Sequence, residues 1–482
     1  MDDVTKLRKK TKIGMLWNAI ERISVQGVSF IIGIILARLL TPDDYGTMGL
    51  MTVFISVSNV FVDSGFSKGL IQKIDRTEKD FTTTLIFNVM ISCLVYIILF
   101  FSAPIIAKFY EKTELVKLSR VLFLTIILSS LTVVQSARLQ IELNFKKIAL
   151  INFISISISG VCGIFAAYVG FGVWALVFQK LIQYIILVIL YFILGHWIPK
   201  TGFSMQSFKD LFSFGSKLLL TGLLSTTIAN LNSLVIGKVY TSSSLGYYTR
   251  AEQFPQVTSG TLTSVLQQTT FPMMAAMQND KKELLDTFKI ILKYTALLSF
   301  PAMIGLALIS KTLIVVLLSE KWLVASEYLF WLALSYIFTP LEVINLNLLN
   351  AIGRSDLNLK LDLIKTPLIL LSMIITIPIS LKAVVIGRVF FVLIYYCIDC
   401  YGSKKIFDFG PIKQILEVWK IIISSLIMGS GIYLFNILEF SDSILKLIIQ
   451  IIGGIIIYAL SLFAFKETTF LTYLKKIKLF RK

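Results

Sequence analysis

The sequence predicts an all-α polytopic membrane protein of about 14 transmembrane helices, set out as two six-helix lobes related by a parallel repeat plus two C-terminal helices. Three observations predict it. The 482 residues are 56% hydrophobic and 15% charged, with a mean hydropathy of +0.82, whereas a soluble domain carries roughly 25% charge. Apolar runs near 20 residues recur along the whole chain, long enough to cross a hydrocarbon core as helices. A short motif also returns 200 residues after its first occurrence.

Taken in order, the first dozen residues (MDDVTKLRKKTK) are polar and basic. They lack the apolar core and small-residue cleavage site of a signal peptide, so the first span is expected to be retained. Apolar run length places spans at 13–38, 45–67, 82–107, 118–137, 148–170 and 172–194. A second set follows at 212–237, 251–277, 288–310, 323–350, 358–380 and 382–402, and then 415–436 and 443–465. The expected domains are therefore 1–200, 201–410, and 411–482 with its basic tail. Connectors such as TPDD and GFG are short, and none could hold a folded catalytic domain. With the N-terminus inside, cytoplasmic segments collect roughly 28 Lys/Arg against roughly 10 outside. Both termini are then cytoplasmic, which needs the even span number counted.

The repeat aligns ARLLTPDDYGTMG (37–49) with GKVYTSSSLGYYT (237–249). Arg38 meets Lys238, Thr41 meets Thr241, and Gly46 meets Gly246. A weaker echo sets APIIAKFYEK (103–112) near KTLIVVLLSEK (311–321). Each copy of the motif follows one long apolar helix and precedes another, and this shared loop position separates a repeat from chance apolar similarity. Six spans per half give both halves the same orientation, with a site expected between them.

Charged and polar residues within the spans are the functional candidates. Asn18, Arg22, Gln26 and Ser29 share one face of the first span at helical spacing. Glu21 lies about 100° around the helix from Arg22. Such a stripe must face protein or water rather than lipid. Lys180 and Gln183 lie in span six, Lys217 and Asn232 in span seven, Arg250 in span eight, and Lys293 in span nine. Asn345 lies in span ten, Arg388 in span twelve and Asn59 in span two. Arg250 is near a span end, where snorkelling is the plainer reading. Asp362 and Lys365, three apart, can neutralise each other. Arg22, Lys180, Lys217 and Lys293 have no opposite charge one turn away on their own helices, apart from Glu21 as a possible partner of Arg22 through a neighbouring helix. A site with several cations and few anions suits an anionic substrate, a diphosphate above all. Asn and Gln side chains suit sugar hydroxyls.

Other classes are poorly supported. The net charge of +18 is spread over many short loops, so a nucleic-acid interface is not expected. Cys397 and Cys400 have C-x-x-C spacing, but inside a span they read as two small apolar residues. One histidine, His196, leaves no His-based metal cluster, and neither a metal nor a cofactor is expected.

GMLWNAIERISVQGVSFIIGIILARLLTPDDYGTMGLM, DSGFSKGLIQ, SLGYYTRAEQFPQ and FPMMAAMQND together resemble the polysaccharide-repeat transporters. These belong to the multidrug/oligosaccharidyl-lipid/polysaccharide exporter superfamily. The resemblance covers essentially the full chain, and the LARLLTPDDYG turn is its most specific part. It implies a bacterial inner-membrane flippase with a cationic cavity. Such a protein carries undecaprenyl-diphosphate-linked oligosaccharide from the cytoplasmic to the periplasmic leaflet by alternating access, for surface polysaccharide synthesis. It also implies a non-enzyme, coupled by analogy to a proton or sodium gradient or to the membrane potential, and working beside polymerase and export machinery. Related flippases use a first-helix arginine in the cavity, and Arg22 resembles it. Gly222 stands at the repeat-equivalent position, which leaves Lys217 as the neighbouring candidate. Two rivals stay open: a cation-coupled drug antiporter of the same superfamily, which would want an acidic cavity, and a membrane glycosyltransferase or polymerase, which would want larger external loops.

Overall fold

The computed structural model describes residues 2–63, 65–438 and 443–472, with the side chains of 2–13, 15, 16, 18, 19, 214, 217, 268 and 355 left out. The described chain forms two compact units, Met1–Gly246 and Tyr247–Lys482.

The first unit holds α1 (Asp2–Leu39), α2 (Pro42–Asp63), α3 (Phe66–Gln72), α4 (Glu78–Phe109), α5 (Leu115–Leu122) and α6 (Leu124–Ile141). It continues with α7 (Phe145–Tyr168), α8 (Val173–Gly195), α9 (Met205–Val239) and the first turn of α10 (Ser242–Ala276). Helix α1 packs on α7 and α7 on α8, α6 lies against α4 and α8, and α2 lies against α9. The family-like stretch DSGFSKGLIQ is a helix break with a seat. Gly65 has φ +72° in the left-handed region, and a Cβ there would lie 2.9 Å from the Gly215 Cα, so only glycine fits. Phe66 then inserts, fully buried, against the rings of Phe87 and Phe208.

The connector from α8 to α9 is fastened to α4. Trp197 Nε1 donates to Glu78 Oε2 at 2.7 Å, Gln135 Nε2 donates to the Trp197 carbonyl at 2.8 Å, and Ser204 N donates to Thr83 Oγ1 at 3.0 Å. Lys73 closes the same end, 3.0 Å from Asp80 and 3.7 Å from Asp210. Burial pulls the Lys73 pKa down, but the hydrogen bond to Asp80 and the charges of Asp80, Asp210 and Asp75 leave it above the ordinary lysine value.

The second unit holds the rest of α10, then α11 (Lys281–Leu308), α12 (Ser310–Leu318), one 3-10 turn (Glu320–Trp322), α13 (Leu323–Ser335) and α14 (Thr339–Ala351). It ends with α15 (Ser355–Thr376), α16 (Leu381–Asp399), α17 (Tyr401–Phe407), α18 (Pro411–Glu417), α19 (Trp419–Ile437) and α20 (Ser443–Ala464). Its core runs along α11: Phe288, Leu292, Phe300 and Met303 meet Leu341, Ile344 and Leu348 of α14, Tyr396 of α16 and Ile421 of α19.

The all-helical membrane fold is as expected, and twelve described segments are long and apolar enough to cross a bilayer. Of the fourteen expected spans, the eighth and eleventh correspond to α10 and α15. Both are long helices, but their polar residues keep them out of that twelve. Several expected spans are also interrupted, the second at Gly65 and the twelfth at Cys400 among them. The fourth breaks at Phe123, between α5 and α6, and the tenth at Tyr336–Phe338, between α13 and α14.

Candidate functional site

In the first unit, two of the cations named from the sequence, Arg22 and Lys180, stand on membrane helices with no ion pair among the described residues. Arg22 is exposed on α1 beside Gln26, four residues on and also exposed. Lys180 is exposed on α8, with Nζ 3.5 Å from Gln183 Oε1 one turn on. Among the described residues neither makes an ion pair. Glu21, the nearest acid to Arg22 in sequence, is engaged elsewhere: its Oε1 accepts from Asn152 Nδ2 of α7 at 2.7 Å. Asn59 of α2 accepts from Ser129 Oγ of α6 at 3.2 Å, and Asn232 is half-buried on α9. Asn18 and Lys217, also named from the sequence, have side chains outside the described residues.

In the second unit the cations are met by carboxylates. Arg388 of α16 pairs with Glu252 of α10 at 2.5 Å and donates to the Tyr248 hydroxyl at 2.6 Å. Its guanidinium lies over the Tyr336 ring, 5.3 Å from the centroid, and the Tyr336 hydroxyl donates to Glu252 at 3.3 Å. Lys293 of α11 pairs with Glu417 of α18 at 2.7 Å. Arg250 donates to Gln253 Oε1 at 2.5 Å. Asn345 is wholly buried: its Nδ2 donates to Gln414 Oε1 at 3.1 Å, and its Oδ1 accepts from Ser403 at 2.8 Å and Gln414 at 2.9 Å. That network fixes α14 against α17 and α18, as fully satisfied buried amides do.

Sequence reasoning did not single out Asn152, Glu417 or Tyr248 as partners. It paired Asp362 with Lys365, and the structure does so at 3.0 Å. It did not reach the stronger partner, Asp399 of α16, whose side chain is fully buried 2.9 Å from the same ammonium. Glu342 Oε1 is buried without a hydrogen-bond partner. Among the described residues no group of His, Cys, Asp and Glu is arranged to hold a metal.

An ionised group in a membrane span needs protein, water or a ligand to meet it. In the second unit protein carboxylates do so. In the first unit, Arg22 and Lys180 leave guanidinium and ammonium donors free, chemistry suited to phosphate oxygens.

A family model described as "Polysaccharide biosynthesis protein" matches residues 35–327. The chain is similar to the teichuronic acid biosynthesis protein TuaB of Bacillus subtilis, 28% identical over 353 residues, 73% of each chain. It is also similar to the lipopolysaccharide biosynthesis protein WzxC of Escherichia coli, 24% identical over 77% of this chain and 75% of that one. Among solved structures, the lipid II flippase MurJ in an inward closed conformation has a similar fold, with a TM-score of 0.74 and 19% identity, covering 94% of this chain and 98% of that one. An inward-facing multidrug resistance MATE family transporter of the MOP superfamily follows, with a TM-score of 0.60 and 16% identity, covering 80% of this chain and 98% of that one.

Proposed function

We propose that this chain, which belongs to the polysaccharide biosynthesis protein family, moves lipid-linked oligosaccharide across the bilayer for surface polysaccharide synthesis. The headgroup is a diphosphate held by the cations of the first unit, and the sugar units meet the neighbouring amides. The observation that carries this reading is the pair of intramembrane cations, Arg22 and Lys180, with no ion pair among the described residues in a chain of this family. The protein works as a transporter and makes or breaks no bond in its cargo. The expected lobes are 1–200 and 201–410, with 411–482 adding two helices and a basic tail. The distribution of lysine and arginine supports an inner-membrane orientation with both termini in the cytoplasm. Transport exposes the cationic site to one side of the membrane and then the other, driven by a proton or sodium gradient or by the membrane potential.

The test is direct translocation. Purified protein enters proteoliposomes carrying a labelled undecaprenyl-diphosphate oligosaccharide on one leaflet. An impermeant glycosidase added to the opposite side reports arrival of the label. Transport by the wild type and loss in Arg22→Ala support both the carrier reading and the site. Transport by both removes the site. No transport by folded wild type, with its native glycan supplied, removes the reading in favour of a drug antiporter.

A further inference from the structure

Helices α1 and α7 touch at two places and part between them. At one contact a Cβ on Gly14 would lie 2.8 Å from the Phe145 ring, and at the other a Cβ on Gly160 would lie 2.0 Å from Ile32 Cδ1. Glycine permits so close an approach. Between the contacts, Trp17, Ile20 and Glu21 of α1 face Lys146, Leu150 and Phe153 of α7 across a groove of about 230 Å³. Residues 17, 20 and 21 share one face of α1 by helical spacing, and Arg22 does not line the groove.

Two opposite charges stand at this groove without meeting. Lys146 is exposed, and its ammonium lies 5.6 Å from the centre of the Trp17 ring, within cation–π range. Glu21 is half-buried, and its Oε1 accepts from Asn152 Nδ2 at 2.7 Å. Among the described residues neither charge joins an ion pair. Ile20, Leu150 and Phe153 are exposed although large and apolar, which suits side chains that meet acyl chains.

We infer that this groove binds the headgroup of an aminophospholipid, whose phosphate meets Lys146 and whose ammonium meets Glu21. Charge complementarity selects that headgroup. Both contacts are charge-assisted hydrogen bonds. A purely anionic headgroup would satisfy Lys146 but set like charge against Glu21, and a quaternary ammonium brings no N–H to the carboxylate. Size agrees. The groove is smaller than the roughly 300–1,000 Å³ that takes a drug-sized ligand, so it holds a headgroup while the acyl chains run along Ile20, Leu150 and Phe153. An oligosaccharide diphosphate is too large for it. Trp and Lys at the mouth suit the membrane–water interface, and the distribution of basic residues supports a place in the cytoplasmic leaflet. A lipid seated here bridges α1 and α7 beside the Glu21–Asn152 bond. The inference does not depend on transport, and its test needs none.

Purified full-length protein, delipidated in detergent, is exposed to phosphatidylethanolamine carrying a photoactivatable diazirine near the glycerol. Cross-links mapped by mass spectrometry should fall within 17–24 and 146–153. Unlabelled phosphatidylethanolamine should displace the probe at least about tenfold more readily than phosphatidylglycerol, phosphatidylcholine or undecaprenyl diphosphate. Lys146→Met and Glu21→Gln should each weaken phosphatidylethanolamine binding about tenfold or more, as loss of a charge-assisted hydrogen bond does. Glutamine keeps the acceptor for Asn152 while removing the charge, so in Glu21→Gln phosphatidylglycerol should compete as well as phosphatidylethanolamine. Cross-links elsewhere, wild-type affinity in both variants, or equal displacement by phosphatidylglycerol or phosphatidylcholine overturn the inference. Equal displacement by undecaprenyl diphosphate also overturns it and makes the groove part of the cargo path. If a variant fails to fold, by thermal unfolding, the ranking of lipids on the wild type decides alone.

Discussion

Arg22 and Lys180 in the first unit and Lys293, Lys365 and Arg388 in the second are all cations on membrane helices, yet their charges are met differently. The second set faces carboxylates at 2.5–2.9 Å, each brought by another helix. The first set is exposed, and its nearest acid, Glu21, is turned toward Asn152. The difference teaches that an intramembrane cation is no sign of a ligand site until its partners are known. Paired cations hold helices together, whereas unpaired ones remain available to an anion.

The largest expected effect tests the second unit. Arg388→Ala leaves Glu252 partly buried and uncompensated, and losing one partner of such a pair costs about 3–5 kcal/mol. Thermal unfolding in detergent should show a marked loss of stability, and Arg388→Met/Glu252→Met should recover most of it. Wild-type stability in the single variant would mean that the pair is not structural.

Next comes the first unit. Arg22→Ala should leave stability unchanged and weaken cargo binding by about 1.5–3 kcal/mol, the worth of a charge-assisted hydrogen bond. Arg22→Lys should fall between wild type and Ala, because lysine lacks the guanidinium fork. Full activity of Arg22→Lys would show that charge alone suffices. Lys180→Ala should weaken binding less, since a single ammonium makes no bidentate contact, and a matching loss of thermal stability would sharpen the comparison against it.

A double-mutant cycle on Lys293 and Glu417 should give a stability coupling of about 0.5–3 kcal/mol, because the two are in direct contact. A coupling near zero would move Lys293 into the available class. The smallest effect is Asn152→Ala, which removes one hydrogen bond to Glu21 and should cost about 1–2 kcal/mol of stability. If transport fell while stability held, Glu21 would belong to the cargo site.

Much of the fold was legible because a bilayer demands apolar length and satisfied backbone, and both can be read along one chain. The break at Phe123 was not legible, since apolar residues run through it without a proline or glycine, whereas Pro340 in the first turn of α14 is a signal for the break at Tyr336–Phe338 that run length alone passes over. The Asp362–Lys365 pair was legible at its helical spacing. Asp399 was not, because contacts between helices follow no fixed spacing.

The amino-acid sequence by itself determined the membrane-helical class, the repeated turns at 37–49 and 237–249, and which spans carry a cation. Only the tertiary structure decided which cations are neutralised and that Gly46 meets Gly246. The physical reason is range. Hydropathy and helical periodicity act over a few turns, whereas Glu252 and Arg388 stand 136 residues apart in the chain and become partners only when their helices pack.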